Sequence, residues 1–132
     1  MKIDRSATYA IIATCYIAQQ PEKKTVLSHD ISKKYDIPLE YLLKILQQLV
    51  KANILRSKRG PRGGFTLARP AAKITMLQIL ETVDGPMVNN MSIADHTGKA
   101  KFGIHADKAF DKALAQARDH YKEITLASLI GE

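Results

Sequence analysis

The sequence predicts a mostly α-helical fold with one small β-hairpin and a long helix near the C-terminus. Three observations predict it. Apolar residues recur at three- and four-residue spacing through most of the chain. A glycine- and proline-dense run at 59–64 separates two short segments that read as strands. Alanines and larger apolar residues fall near heptad spacing through residues 105–123.

Residues 4–19 read as a helix, because Ile3, Ala7, Ala10, Ile11, Thr14, Ile17 and Ala18 share one face, and Pro21 closes it. After a polar loop at 22–26, Ser28 is expected to cap a short helix with Ile31 facing inward. Asp36-Ile37-Pro38 interrupts that helix, since the residue before proline avoids helical geometry. Pro38 suits the first turn of the next helix, which runs to about Ala52 with Leu42, Ile45, Leu46 and Leu49 as its core stripe. Residues 54–58 and 65–68 read as strands joined by a turn at 59–64. A connector at 69–73 leads to a helix at 76–83, capped by Thr75 and ended by Asp84-Gly85-Pro86. Residues 87–103 show no periodicity and read as a loop, long enough to suspect a functional role. The long helix is expected at 105–123, and Thr125 is expected to cap a final turn at 126–130.

The chain has 132 residues and a formal net charge of +7. Residues 41–80 hold no Asp or Glu but eight cations: Lys44, Lys51, Arg56, Lys58, Arg59, Arg62, Arg69 and Lys73. Elsewhere acidic and basic residues nearly balance, so the excess is local. A local excess of this kind is the electrostatic footprint expected of a nucleic-acid surface, and charge alone fits a solvated face equally well. Cys15 is the only cysteine, which excludes an internal disulfide and a four-cysteine zinc site. Ser-His-Asp, Walker and dinucleotide-binding patterns are missing, and no enzyme activity is expected. Lys2 and Arg5 precede an apolar stretch at 7–18, but Asp4 lies among them and the stretch is too short to span a membrane. The expectation is a cytoplasmic protein.

Two helices joined by a tight proline-containing turn, the second exposing Tyr41, Lys44, Gln47, Gln48 and Lys51, form the layout of a helix-turn-helix. A cationic hairpin directly after it makes a winged helix-turn-helix. Lys44 and Gln48 lie one turn apart, where Lys pairs with guanine and Gln with adenine. Ser28, Pro38, Leu39, Glu40 and Tyr41 are candidate base or phosphate contacts near the helix starts. In the wing the candidates are Lys58, Arg59, Gly60, Pro61, Arg62 and Gly63, of which Arg59 and Arg62 are the strongest. The expected partner is double-stranded DNA.

At Tyr9-Ala10, Ile37-Pro38-Leu39-Glu40-Tyr41-Leu42, the wing run from Leu55 to Ala68, Ile74-Thr75, Val83-Asp84-Gly85 and Ile124-Thr125-Leu126, the sequence resembles the Rrf-type (IscR/NsrR-like) family of bacterial transcriptional regulators. The resemblance covers nearly the whole chain. It implies a homodimer on a palindrome-like operator, with repression as the default mode of action. It also implies three parts: a DNA-binding domain at 1–86, an effector- or cluster-loop equivalent at 87–104, and a dimerisation helix with a C-terminal turn at 105–132. The expected seam is Ala106, Ala109, Phe110, Ala113, Leu114, Ala117 and Tyr121.

Cluster-bearing members of that family carry three cysteines in the loop that here contains none. No iron–sulfur cluster is therefore expected. His96 and His105 are weak metal candidates, better read as solvent-facing, and an unknown small-molecule or protein effector stays open. Leu43 stands where several relatives have an acidic residue, so their operator sequences do not transfer. Met76, Met87 and Met91 read as core and loop residues. The alternative reading is a protein-interaction adaptor or ligand sensor that keeps the fold without strong DNA binding.

Overall fold

A computed structural model describes residues 3–61 and 63–131. It contains α1 (Arg5–Gln19), α2 (Ser28–Tyr35), α3 (Leu39–Lys51), β1 (Leu55–Lys58), β2 (Gly64–Leu67), a 3-10 turn (Ala71–Lys73), α4 (Met76–Asp84), α5 (Ile93–His96), α6 (Lys101–Glu123) and α7 (Leu126–Leu129). The mostly helical fold with a hairpin wing and a long C-terminal helix is as the sequence predicts.

The core forms where α1, α3 and the wing meet. Ala7, Ala10, Ala13 and Ile17 of α1 are buried, as are Leu42, Ile45, Leu46 and Leu49 of α3. Alanines on α1 let α3 approach closely, and each buried leucine or isoleucine contributes roughly 1.5–3 kcal/mol. Thr14 is the buried polar residue in this stripe, satisfied by donating to the Ala10 carbonyl at 2.8 Å.

β1 and β2 pair antiparallel, with Leu55 opposite Leu67 and Lys58 opposite Gly64. Val26, before α2, adds a one-residue bridge to Phe65, closed by reciprocal bonds of 2.9 and 2.8 Å. The wing is thus stitched to the chain ahead of the helix-turn-helix. That bridge also explains a departure at Ser28. The backbone stays extended through Leu27, which takes the N-cap position, and α2 opens at Ser28 with no side-chain cap. Asp30 in the first turn offsets the helix dipole instead.

The turn between α2 and α3 is locally closed. Asp36 adopts the left-handed conformation at φ 52°, the Ile37 N–H donates to the Ser32 carbonyl, and the Ser32 hydroxyl donates to the Ile37 carbonyl at 2.6 Å. Pro38 is the N-cap of α3 rather than its first helical residue, because its ψ of 125° is extended. Thr75 caps α4 in a reciprocal capping box with Gln78, and Thr125 caps α7.

Two expectations about 87–104 need correction. The stretch is not an irregular loop: α5 lies within it, and α6 starts at Lys101 rather than His105. Ser92 caps α5 by accepting from the Asp95 N–H. Asp107 of α6 completes the joint, accepting from the Ile93 and Ala94 N–H groups at 2.9 and 3.0 Å and from the Ser92 hydroxyl at 3.1 Å. Gly103 permits this packing, since a methyl there would meet Thr97 Oγ1 at 2.4 Å and Ala94 Cα at 3.0 Å. The C-terminal turn does not trail from α6 but returns to the body. Thr75 and Thr125 form a bridge, and Leu126 is fully buried in the core.

Candidate nucleic-acid interface

The amphipathic period of α3 decides what its outer face presents. With Leu42, Ile45, Leu46 and Leu49 turned inward, Glu40, Tyr41, Lys44, Gln47, Gln48 and Lys51 are exposed. Leu43 is half-buried beside them, and Pro38 and Leu39 are exposed at the helix start. A groove of about 600 Å³ runs along this face, with Ser6 of α1 and Val83 of α4 on its rim.

Tyr41 is committed to the fold. Its hydroxyl lies 2.6 Å from Ser6 Oγ, and its ring meets the Tyr9 ring edge-on at 5.6 Å. The phenol therefore fixes the start of α3 against α1, a role its position in the sequence does not reveal. Lys44 and Gln48 carry no such restraint and project from the middle of the helix.

In the wing, Lys58, Arg59, Gly60 and Pro61 are exposed. Arg62 lies outside the described residues. Gly63 is buried in the hairpin itself: a methyl there would sit 2.4 Å from the Lys58 carbonyl and 2.8 Å from that of Gly60. Its missing side chain serves the turn. Gly60, with φ +102° and nothing within 4 Å of where a methyl would stand, remains an open site for close approach.

Arg69 is withdrawn from the cationic surface. It donates to the Asn53 carbonyl, the Lys73 carbonyl and Gln78 Oε1, joining the end of α3 to α4. The fold compensates with cations distant in sequence. Arg5 of α1 and Lys33 of α2 line one groove with Asp36, Pro38 and Leu39 beside the first turn of α3. Sequence inspection missed them because only tertiary packing brings α1 and α2 to that edge. Ser28, at the start of α2, is half-buried.

The expected seam on α6 divides. Phe110, Ala109 and Ala113 are exposed, while Ala106, Leu114, Ala117 and Tyr121 are half-buried. Tyr121 faces a cavity shared with Leu80 and Val88 of the same chain. Gly103 is the one buried residue of α6. The helix is tied to α4 by a two-point ion pair, Arg118 Nη2 to Glu81 Oε1 at 2.8 Å and Nε to Oε2 at 3.2 Å. The Arg118 guanidinium, reinforced by the Met87 N–H, holds the Glu81 carboxyl below its ordinary range.

A helix-turn-helix, a cationic β-hairpin and a long C-terminal helix define a winged helix-turn-helix protein. The chain belongs to the Rrf2 family, described as iron-dependent transcriptional regulators, whose model matches residues 3–132. It is 36% identical over 112 residues to the HTH-type transcriptional regulator IscR of Cereibacter sphaeroides, covering 83% of this chain and 69% of that one. The fold is similar to that of CymR, the global cysteine regulator of B. subtilis, with a TM-score of 0.83, 18% identity and coverage of 98% and 96%. It is also similar to T. potens IscR, with a TM-score of 0.73, 22% identity and coverage of 98% and 86%.

The family description implies iron, and the residues here do not fit it. Cys15 is the only cysteine, half-buried in α1, and burial pushes its thiol up, away from the thiolate a metal takes. His96 and His105 are both exposed. Among the described residues no group of three or more His, Cys, Asp and Glu is placed to hold a metal ion. Nor is any helix among them long and apolar enough to cross a membrane.

Proposed function

We propose that this chain is a sequence-specific DNA-binding transcriptional repressor that acts as a homodimer on a palindrome-like operator. The observation that carries the reading is the exposed polar face of α3 beside an exposed cationic wing, in a tract of 40 residues (41–80) without an acidic side chain. Lys44 and Gln48 read base edges, Lys58, Arg59 and Arg62 neutralise phosphates, and Glu40 and Leu39 flank the entry to the groove. Tyr41 positions the helix. Residues 1–86 make the DNA-binding unit, 87–104 the segment through which an effector acts, and 105–132 the dimerising part, with α6 as its seam. Support for the dimer comes from α6, which leaves Phe102 and Phe110 67% and 53% exposed.

The test is a salt-titrated binding assay on genomic fragments, comparing wild type with Arg59→Ala/Arg62→Ala. Tight, sequence-selective binding whose salt slope falls by about 2 in the double variant is expected, near one unit for each phosphate no longer neutralised. Absence of selective binding at every salt concentration overturns the reading in favour of a protein-interaction adaptor.

A further inference from the structure

Leu43 breaks the polar pattern on the outer side of α3. It stands one helical turn from Glu40 in one direction and from Gln47 in the other, and both of those are exposed. Leu43 itself is half-buried. So is Val50 of the same helix, but the two differ in what they touch. Among the described residues that pack on the hydrophobic core from its margin, Val50 is one and Leu43 is not. Leu39, one turn before Leu43, is 38% exposed. An apolar edge of two leucines therefore runs beside the polar face, and the core does not account for it.

A single leucine on a surface needs no explanation. The setting of this pair narrows what can cover it. Lys44 and Lys51 are exposed on the same helix, and residues 41–80 hold no acid, so the surroundings complement a polyanion. A protein docking on this edge would have to desolvate Lys44, Gln47 and Gln48, and the centres of such interfaces are poor in charged residues. A DNA major groove gives those polar side chains base edges to bond. It also holds one apolar target, the C5-methyl of thymine, which no other base presents there. The presentation is fixed as well. The Tyr41 hydroxyl lies 2.6 Å from Ser6 Oγ and its ring meets Tyr9 at 5.6 Å, which sets the rotation of α3 and the angle at which the leucine edge stands.

We propose that Leu43 is a specificity-determining residue that reads a thymine methyl in each half-site of the operator, with Leu39 extending the apolar contact from the preceding turn. This rests on the DNA-binding function proposed above and adds to it a base that Lys44 and Gln48 do not read.

The experiment uses the full chain and duplexes that the wild type selects from a randomised library. Each thymine of the selected duplex is replaced in turn by deoxyuridine, in both half-sites together. The replacement removes a methyl, keeps every base pair and leaves the protein unaltered. At one position affinity is expected to fall about fourfold for each half-site, the equivalent of one buried methyl group, and by under about twofold in Leu43→Ala. Leu43→Met, which keeps an apolar side chain of similar size, should restore the uracil penalty. A selected duplex in which no uracil weakens the wild type overturns the proposal. So does a penalty of equal size in Leu43→Ala, which would assign the effect to duplex shape. Sedimentation of the free chain runs alongside. A Leu43→Ala chain that dissociates, with no uracil penalty in the wild type, assigns the edge to a second copy and overturns the proposal. Failure to select any duplex overturns the proposed function and this reading together, whereas selection without a uracil effect overturns this reading alone.

Discussion

Replacing Gly63 with alanine isolates what the wing contributes. The added methyl would stand 2.4 Å from the Lys58 carbonyl and 2.8 Å from the Gly60 carbonyl. Both obstacles are backbone, so no side chain can swing aside. The turn has to open, which breaks the 2.9 Å bond from the Gly63 N–H to the Gly60 carbonyl. Overpacking of this kind costs about 1–3 kcal/mol, and a broken hydrogen bond about 1 kcal/mol more. Local fraying limits the total, because Lys58 and Gly64 are the last pair of the ladder and can separate without disturbing the Leu55–Leu67 end. A net loss of about 1–2 kcal/mol is expected, or roughly 4–8 °C in melting temperature for a domain of this size. The consequence for DNA is larger. Opening the turn redirects Lys58 and Arg59, so the slope of log affinity against log salt should fall by about 2, one unit for each phosphate that these two cations release. Thermal melting and fluorescence anisotropy on the same samples read both. A lowered melting temperature with wild-type affinity and slope would refute the wing as a phosphate-binding element. An unchanged melting temperature would refute the close approach at Gly63.

Further predictions concern α6 and its attachments. Phe110→Asp places a charge on an exposed aromatic of the proposed seam and should convert a dimer to a monomer in sedimentation, with at least a tenfold loss of operator affinity as bivalency disappears. A dimer that persists would place the seam elsewhere. Asp107→Ala removes the acceptor for four groups from Asn89 to Ala94, so amide exchange at 89–97 should accelerate while the core around Leu46 stays protected. In Glu81 the folded-state pKa lies below the unfolded one, because Arg118 donates to it. Its contribution is therefore present above the unfolded pKa and lost as pH falls through the folded value. Melting temperature should drop more steeply below about pH 5 in wild type than in Glu81→Gln. Equal slopes would mean that the pair adds nothing to the joint.

The parts of the fold legible in the sequence are those governed by local rules. Thr75 with Gln78, and Thr125, announce their helices by capping chemistry, and the stripe of α3 needs only the helical period. Where the sequence misleads, the cause is length or tertiary packing. The four residues of α5 are too few for periodicity, although Ser92 three residues before Asp95 is a cap signal in plain view. Lys101 to Ile104 reads as loop because glycine disfavours helix, yet Gly103 is there so that Ala94 and Thr97 can pack on α6. The candidate interface divides the same way. Lys44, Gln48 and Arg59 are exposed as their spacing implies. No local rule shows that Tyr41 is held by Ser6, that Arg69 is consumed by three acceptors, or that Arg5 and Lys33 stand beside the start of α3.

These attachments differ in strength, and the difference says where control can enter. The proposed reading head, α3, is fixed from several sides. Leu42, Leu46 and Leu49 are fully buried, Tyr41 is latched to α1, and the Ser32 hydroxyl closes the turn before α3. Tilting α3 within its own domain would break all of these together. The arm is held by fewer ties: Glu81 with Arg118, Asp107 with α5, and Tyr121 over the cavity. In a dimer joined through α6, the distance between two recognition helices follows the angle at this joint, and half-sites one turn apart require about 34–36 Å. Loosening the joint should therefore alter tolerance of spacing before it alters base preference. Arg118→Ala removes both hydrogen bonds to Glu81 while leaving α3 and the wing untouched. Against operators whose half-sites are moved by one base pair either way, the variant should lose less affinity than wild type, with single-base discrimination at the half-sites unchanged. If Arg118→Ala instead relaxes base preference and keeps the spacing requirement, α6 does not set the geometry of the pair, and control acts on the reading head itself.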